Sequence, residues 1–122
     1  SAHCNRVPVR DGHTECVSIR FKESATPEQA AAAMANFRAR PQELDLPSAP
    51  SRPIIVRAER NRPQPNLDRD AEKGMATTVG RVRECALMGT KFVLLGHNTI
   101  RGAAGASILN AELFKVEGLL PA

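Results

Sequence analysis

The sequence predicts an α+β fold in which helices pack on one face of a mainly antiparallel sheet. Three patterns support this class. Residues 15–21 alternate between apolar and polar side chains, which is typical of a half-buried strand. Residues 91–96 form an unbroken apolar run, which favours a central strand. The segment Thr26-Pro27-Glu28-Gln29 has the residues of a capped helix start, with Gln29 completing a capping box.

The other elements follow from similar local patterns. Further strands are expected at residues 4–9, 53–56 and 75–83, and the first two strands of the chain should pair around the turn Arg10-Asp11-Gly12. The helix that starts near Thr26 should run to Arg38 and end at Pro41. Residues 41–53 and 60–70 are expected to be loops, and the second is long enough to be functional or to lie against a partner. A last helix is expected at residues 103–117.

Apolar stripes predict which faces of the helices are buried. In the first helix the stripe comprises Ala30, Ala33, Met34 and Phe37. In the last helix it comprises Ala104, Ile108, Ala111 and Val116, which recur about once per turn.

The composition indicates a folded domain with a thin core. Of 122 residues, 42% are hydrophobic and 25% are charged, but there is no Trp or Tyr and there are only four Phe. Much of the apolar content is therefore alanine, which buries little area. Together with a start at Ser1 that reads as the middle of a strand, this predicts a fragment of a larger protein.

The charge pattern and the cysteines exclude several classes of function. The net charge is +4, but the basic residues form no dense stripe and lack stacking aromatic neighbours, so no nucleic-acid binding is expected. No apolar run approaches the length of a membrane span. The three cysteines form no CxxC pair and no metal-ligand spacing, so no metal site is expected. Their odd number, without a signal peptide, favours reduced thiols in the cytoplasm, packed as small hydrophobic residues.

Arg6 and His13 are candidates for chemistry because they flank one strand and turn. A guanidinium can bind a carboxylate through two parallel hydrogen bonds, and an imidazole can transfer protons near neutral pH. Together they would hold an anionic substrate and carry out acid/base work on it. From spacing alone, a structural turn histidine and a solvated arginine remain the alternative.

Four segments resemble the aspartate-semialdehyde dehydrogenases of the archaeal and fungal branch. Arg6 to His13 is similar to the family's R-x-P-V-x-x-G-H segment, including the spacing of seven between the arginine and the histidine. Residues 62–70 resemble its R-P-Q-P-x-x-D-R-D loop, and residues 80–83 resemble the end of its V-G-R-x-R strand. Residues 97–105 are similar to its H-N-T-x-x-G-A-A-G stretch.

The resemblance implies a fold and an activity. The fold would be an incomplete dimerisation domain of the glyceraldehyde-3-phosphate-dehydrogenase C-terminal type, with residues 1–100 in that domain and residues 101–122 forming a helix that packs on an absent NADP-binding domain. The activity would be the NADPH-dependent reductive dephosphorylation of L-aspartyl-4-phosphate to L-aspartate 4-semialdehyde, which leads to lysine, threonine, methionine and isoleucine. The parent would be a homodimer or homotetramer.

The resemblance also implies site residues. Arg6 would bind the substrate carboxylate and His13 would be the catalytic general acid/base. Asn98 would pair with the nicotinamide carboxamide of NADP, and Gly102 would let backbone approach the cofactor at a helix start, a type of site that favours anions. From the pattern alone, the alternative is a Gly-Ala helix start chosen for close packing.

Two parts of the family pattern are missing from this chain. The family's nucleophile lies in an Asn-Cys-(Ser/Thr) context, which none of Cys4, Cys16 and Cys85 has, and there is no glycine-rich dinucleotide loop. The chain is therefore expected to hold half of an active site and to be inactive alone. Two alternatives remain: a stand-alone dimerisation module without chemistry, and a malonyl-CoA or succinyl-CoA reductase of the same branch.

Overall fold

A computed structural model describes residues 1–119. The strands are β1 (Ala2–Asn5), β2 (His13–Ile19), β3 (Ile54–Arg57), β4 (Thr77–Cys85) and β5 (Gly89–Gly96). The α-helices are α1 (Pro27–Ala35), α2 (Arg40–Glu43), α3 (Pro65–Asp68) and α4 (Gly105–Val116). A 3₁₀ turn covers Ala71–Gly74, and one π-helical turn covers Ile100–Ala104. Among these residues, no helix is long and apolar enough to cross a membrane.

The five strands form one sheet in the order β1-β2-β5-β4-β3. Three of its four strand pairs are antiparallel, and only β3 and β4 run parallel. Helix α1 packs against β3, β4 and β5. The predicted α+β class and the mainly antiparallel sheet are confirmed. The apolar run at residues 91–96 lies in β5, the central strand, as its composition predicted.

Both strands of the first hairpin begin two residues earlier than predicted, and β1 ends four residues earlier. The prediction for β1 was residues 4–9, but the strand ends at Asn5 because its partner β2 begins at His13, whose neighbour Thr14 pairs with Asn5. Val7 and Val9 consequently lie in an exposed loop. The antiparallel pairing of these two strands is confirmed.

Helix α1 begins as predicted and ends earlier. The Thr26 side chain accepts a hydrogen bond from the Gln29 backbone, and the Gln29 side chain accepts one from the Thr26 backbone, which completes the capping box. The helix ends at Ala35 rather than at Arg38, so Phe37 lies outside it and is exposed. The prediction that Pro41 ends a helix was wrong, because this proline lies in the first turn of α2, where its missing N–H costs nothing.

Helix α4 buries a different face from the predicted stripe. Leu109 packs with Leu46 and Met75, and Leu113 packs against the same cluster. Ile108 and Val116, which the stripe included, are 54% and 58% exposed. Because alanines lie on both sides of the helix, the sequence pattern did not determine which face is buried. Contact with the loop before β3 buries the face that carries Leu109 and Leu113. Leu120–Ala122, the end of the predicted terminal segment, lie outside the described residues.

The predicted thin core is reflected in the accessible surface. The chain exposes 8150 Å², whereas a folded monomer of 13.2 kDa is expected to expose about 6400 Å². Both edge strands, β1 and β3, have an unpaired side, and every residue of β1 is exposed.

A buried carboxylate fixes the segment that connects β3 to β4. The side chain of Asp68 has no solvent exposure and accepts hydrogen bonds from Arg62, from Arg57 at 3.3 Å and from the Gln64 backbone at 2.7 Å. Burial acts to raise the pKa of Asp68, but the hydrogen bonds from Arg62 and Gln64 and the two arginine charges outweigh it and lower the pKa. The loop predicted at residues 60–70 is therefore an ordered segment, in which Pro63 lies against Gly80 of β4 and Pro65 lies against Gly12.

Replacing Asp68 by Asn should destabilise the chain by about 3 kcal/mol, because two arginines lose their buried anion. Because the pKa is lowered in the folded state, the stabilisation by Asp68 is complete above the ordinary carboxyl pKa of about 3.9 and is lost as pH falls below it. Urea unfolding between pH 3 and 7 should therefore show a lower and flatter stability profile for Asp68→Asn. The control is Asp70→Asn, at a side chain that is 70% exposed. Equal effects of the two substitutions would contradict this prediction.

Candidate functional site

His13 lies at one end of the sheet, where β2 begins and β5 ends. It is the first residue of β2 and pairs with Gly96, the last residue of β5. Its Nε2 lies 3.3 Å from Oε1 of Glu15, two residues further along the same face of the strand. The His13 side chain is 50% exposed and that of Glu15 is 28% exposed. A carboxylate at this distance can orient the imidazole.

Arg6 and His13 line the same groove, as their positions around the turn predicted. The groove has a volume of about 440 Å³, and Asn98 and Arg10 also line it. Two arginines in one open groove give it a positive potential suited to an anionic ligand.

Asn98 connects the turn after β5 to the segment before His13. Its Oδ1 accepts a hydrogen bond of 2.9 Å from the backbone N–H of Gly12. The Asn98 amide also carries two N–H groups, which can donate to a carbonyl oxygen. The asparagine therefore both positions the loop beside His13 and offers donors to the site.

A second groove, of about 350 Å³, shares His13 and Asn98 with the first as lining residues. It is lined as well by Gly96, Gly102 and Arg101. A Cβ at Gly96 would meet no atom within 4 Å, so the missing side chain leaves open space there. All four residues predicted from the sequence line at least one of the two grooves, and His13 and Asn98 line both.

His97 organises the turn, although the sequence patterns gave it no role of its own. It is buried, and its Nδ1 accepts hydrogen bonds of 3.2 Å from the backbone N–H groups of Thr99 and Ile100. The π-helical turn follows, with Gly102 donating to the carbonyl oxygen of His97 at 2.8 Å. The first N–H groups of a helix have no partner within the helix, and here they belong to Thr99 and Ile100. A histidine just before a predicted helix start was therefore the sequence signal that could have revealed the capping role of His97.

The sequence that forms this sheet and the turns at its end matches a known protein family. A family model for the semialdehyde dehydrogenase dimerisation domain matches residues 1–101, most of the chain. The chain belongs to the semialdehyde dehydrogenase family.

Archaeal and fungal proteins named aspartate-semialdehyde dehydrogenase are among the most similar relatives of this chain. The protein of Methanothermobacter thermautotrophicus is 57% identical over 115 residues, which cover 93% of this chain and 33% of the relative. That of Archaeoglobus fulgidus is 54% identical over 120 residues, which cover 98% and 34%. The chain thus spans about one third of the length of these relatives.

Solved structures agree with this assignment. The crystal structure of aspartate-semialdehyde dehydrogenase with NADP from Candida albicans superposes with a TM-score of 0.84 at 44% identity, covering 94% of this chain and 33% of that one. Aspartate-semialdehyde dehydrogenase II from Vibrio cholerae gives a TM-score of 0.65 at 25% identity, covering 90% and 29%. The predicted resemblance to the archaeal and fungal branch is confirmed.

The three cysteines of this chain are not packed in its core as predicted. Cys4 and Cys16 are exposed and Cys85 is partly exposed. Cys4 lies in the edge strand β1, all of whose residues are exposed, and Cys16 pairs across the strands with His3 of β1. Cys85 is the last residue of β4, where that strand ends.

Replacing His97 by Ala should loosen the turn that carries Asn98, whereas replacing it by Asn should largely preserve it. An Asn side-chain oxygen can accept from the same two backbone N–H groups that Nδ1 serves, and Ala cannot. Loss of such a cap costs about 0.5–2 kcal/mol, so exchange of the Thr99 and Ile100 amide hydrogens should accelerate by about twofold to thirtyfold in His97→Ala. Unchanged exchange in His97→Ala, measured by NMR, would show that the imidazole does not hold the turn.

Proposed function

We propose that this chain is the C-terminal third of an NADP-dependent aspartate-semialdehyde dehydrogenase. The enzyme would reductively dephosphorylate L-aspartyl-4-phosphate to L-aspartate 4-semialdehyde, on the route to lysine, threonine, methionine and isoleucine. The observation that carries the proposal is that His13 lines two grooves, one lined also by Arg6 and the other by Gly102. An acid/base group within reach of both a substrate site and a dinucleotide site is what this reaction requires.

Arg6 has the chemistry to bind the substrate carboxylate. A guanidinium donates two parallel hydrogen bonds to a carboxylate, and the second arginine of the groove, Arg10, adds positive charge for a doubly charged acyl phosphate. The groove shared with His13 would keep the reacting carbonyl within reach of the imidazole.

His13 would accept and return the protons of the reaction. Because Glu15 lies 3.3 Å from its Nε2, the ring has a partner that orients it. The covalent nucleophile would come from the remaining two thirds of the enzyme, since the relatives are about three times as long as this chain.

The second groove fits the nicotinamide end of NADP. The amide N–H groups of Asn98 can donate to the carboxamide oxygen, and the space above Gly96 can admit a flat ring. When bound, NADPH supplies the hydride. Gly102 has no side chain to fill this groove, and a Cβ there would come within 3.2 Å of the carbonyl oxygen of His97.

The chemistry can be tested in a chimera that joins the first two thirds of the M. thermautotrophicus relative to this chain. The chimera should reduce NADP in the presence of aspartate semialdehyde and phosphate, and the 122-residue chain alone should not. Malonyl-CoA and succinyl-CoA, assayed in parallel, should not be reduced. A folded chimera that reduces only an acyl-CoA would support the reductase alternative, and one with no activity on any substrate would favour a module without chemistry.

Within this chimera, His13→Gln and Arg6→Lys should fail in different ways. Loss of a general acid/base costs on the order of 10²–10⁴ in rate, so His13→Gln should lower kcat by that factor with little change in KM. Arg6→Lys keeps the charge but loses the two-pronged contact, so it should raise KM and also lower kcat. His3→Gln, in the neighbouring strand β1, is the control and should retain wild-type kinetics. More than about a tenth of wild-type kcat in His13→Gln would refute the acid/base role.

The proposed enzyme is cytoplasmic and oligomeric, and it has no nucleic-acid or membrane partner. All three cysteines are free thiols, as in proteins of a reducing compartment. We further propose that residues 101–122 pack on the NADP-binding domain, since Ile108, Phe114 and Val116 on α4 are exposed apolar side chains that a partner surface would cover.

The chain should form a homodimer in solution, as expected for a dimerisation domain. It exposes about a quarter more surface than a monomer of its mass, and the unpaired edges of β1 and β3 favour association. Light scattering at micromolar concentration should give a mass of about two chains. A mass of one chain throughout the micromolar range would contradict this prediction. A mass of four chains would indicate a homotetramer.

A further inference from the structure

Strand pairing at the start of the sheet brings together three side chains that the sequence spacing did not connect. Cys4 of β1 pairs directly with Glu15 of β2, and His13 lies two residues before Glu15, so all three project from one face. One donor atom from each, a sulfur, a nitrogen and an oxygen, lies within 4.8 Å of the other two. Within residues 1–119, no other group of three or more such side chains comes this close.

We propose that Cys4, His13 and Glu15 form a binding site for one Zn²⁺ ion. Thiolate, imidazole and carboxylate are the ligands that zinc takes from proteins. In tetrahedral coordination their donor atoms would lie about 3.4–3.6 Å apart, as follows from the usual zinc–ligand distances. His13 and Glu15 already lie 3.3 Å apart, so only a small side-chain rotation of Cys4 is required.

The charges of the site are balanced by the ion. A Cys4 thiolate and the Glu15 carboxylate together carry two negative charges, which equal the charge of Zn²⁺. The neighbouring Arg6 and Arg10 therefore face a neutral complex rather than an uncompensated cation. Because all three ligands are at least partly exposed, the ion can enter without any opening of the fold.

Zinc bound here would inhibit the proposed dehydrogenase. This consequence rests on the proposed function, because it depends on His13 as the general acid/base. A metal ion occupies the imidazole lone pair that proton transfer needs, and the fourth coordination position is left to water or to an anion from the groove. The metal site itself does not depend on that function.

The neighbouring strand positions supply a matched control. Cys16 is also an exposed cysteine and pairs across the strands with a histidine, His3. Its other strand partner is Val93, so no carboxylate stands opposite it. If any exposed cysteine near a histidine bound zinc, Cys16 would do so as well.

The test is metal binding to the 122-residue chain, with Co²⁺ as a spectroscopic probe and Zn²⁺ as a competitor. One Co²⁺ should bind per chain, with a thiolate-to-metal charge-transfer band and tetrahedral d–d bands, and Zn²⁺ should abolish both. Cys4→Ser should remove the charge-transfer band and weaken binding by about tenfold or more. Glu15→Gln should keep the band and also weaken binding, and Cys16→Ser should match the wild type. Far-ultraviolet circular dichroism establishes that each variant is folded.

Absence of Co²⁺ binding, a charge-transfer band that persists in Cys4→Ser, or a band lost in Cys16→Ser would each overturn the zinc site. If Cys4→Ser does not fold, Glu15→Gln decides, since unchanged affinity in that variant excludes the carboxylate as a ligand. Failure of the dehydrogenase proposal would show up only as an inactive chimera and would leave these spectra unchanged.

Discussion

The hydrogen bond from the Gly12 N–H to Asn98 Oδ1 joins the two turns on which the site depends. The pairing of His13 with Gly96 brings these turns to one end of the sheet, and this bond fixes their relative position. Gly12 has φ +119°, and a Cβ there would press on Leu95 and Pro65 at 3.1 Å. A side chain at residue 12 would therefore disturb the register of the loop and the position of His13 together.

A strained turn at residues 72–74 supports the segment that carries Asn98. Glu72, Lys73 and Gly74 all have positive φ, which costs free energy at the two non-glycine residues. The Glu72 carboxylate accepts hydrogen bonds from the backbone and the hydroxyl of Ser51, which hold this conformation. As a result, Gly74 packs directly against the ring of His97, where a Cβ would come within 3.3 Å. These contacts compensate the backbone strain at Glu72 and Lys73. They also fix His97 and, through it, the turn that carries Asn98.

Local signals in the sequence predicted local structure well. The capping box at Thr26 and the central strand at residues 91–96 depend on neighbouring residues alone, and both are present. Long-range contacts decided the rest. The end of β1 is set by where β2 begins, and the buried face of α4 is set by Leu46 and Met75, which are distant in sequence. For the site, family motifs selected Arg6 and His13, but no spacing rule could link Cys4 to Glu15, because that neighbourhood exists only across paired strands.

Under the proposed function, this chain carries the proton and anion chemistry of the enzyme. An imidazole that is 50% exposed beside two open grooves is well placed to exchange protons, but it is poorly shielded from water. Electrostatic catalysis is strongest where water is excluded. The relatives are about three times as long as this chain, so the remaining two thirds would have to close both grooves as well as supply the nucleophile. The fold of this chain therefore positions Arg6 and His13. Their full catalytic effect requires the surface of the remaining two thirds, which would cover them.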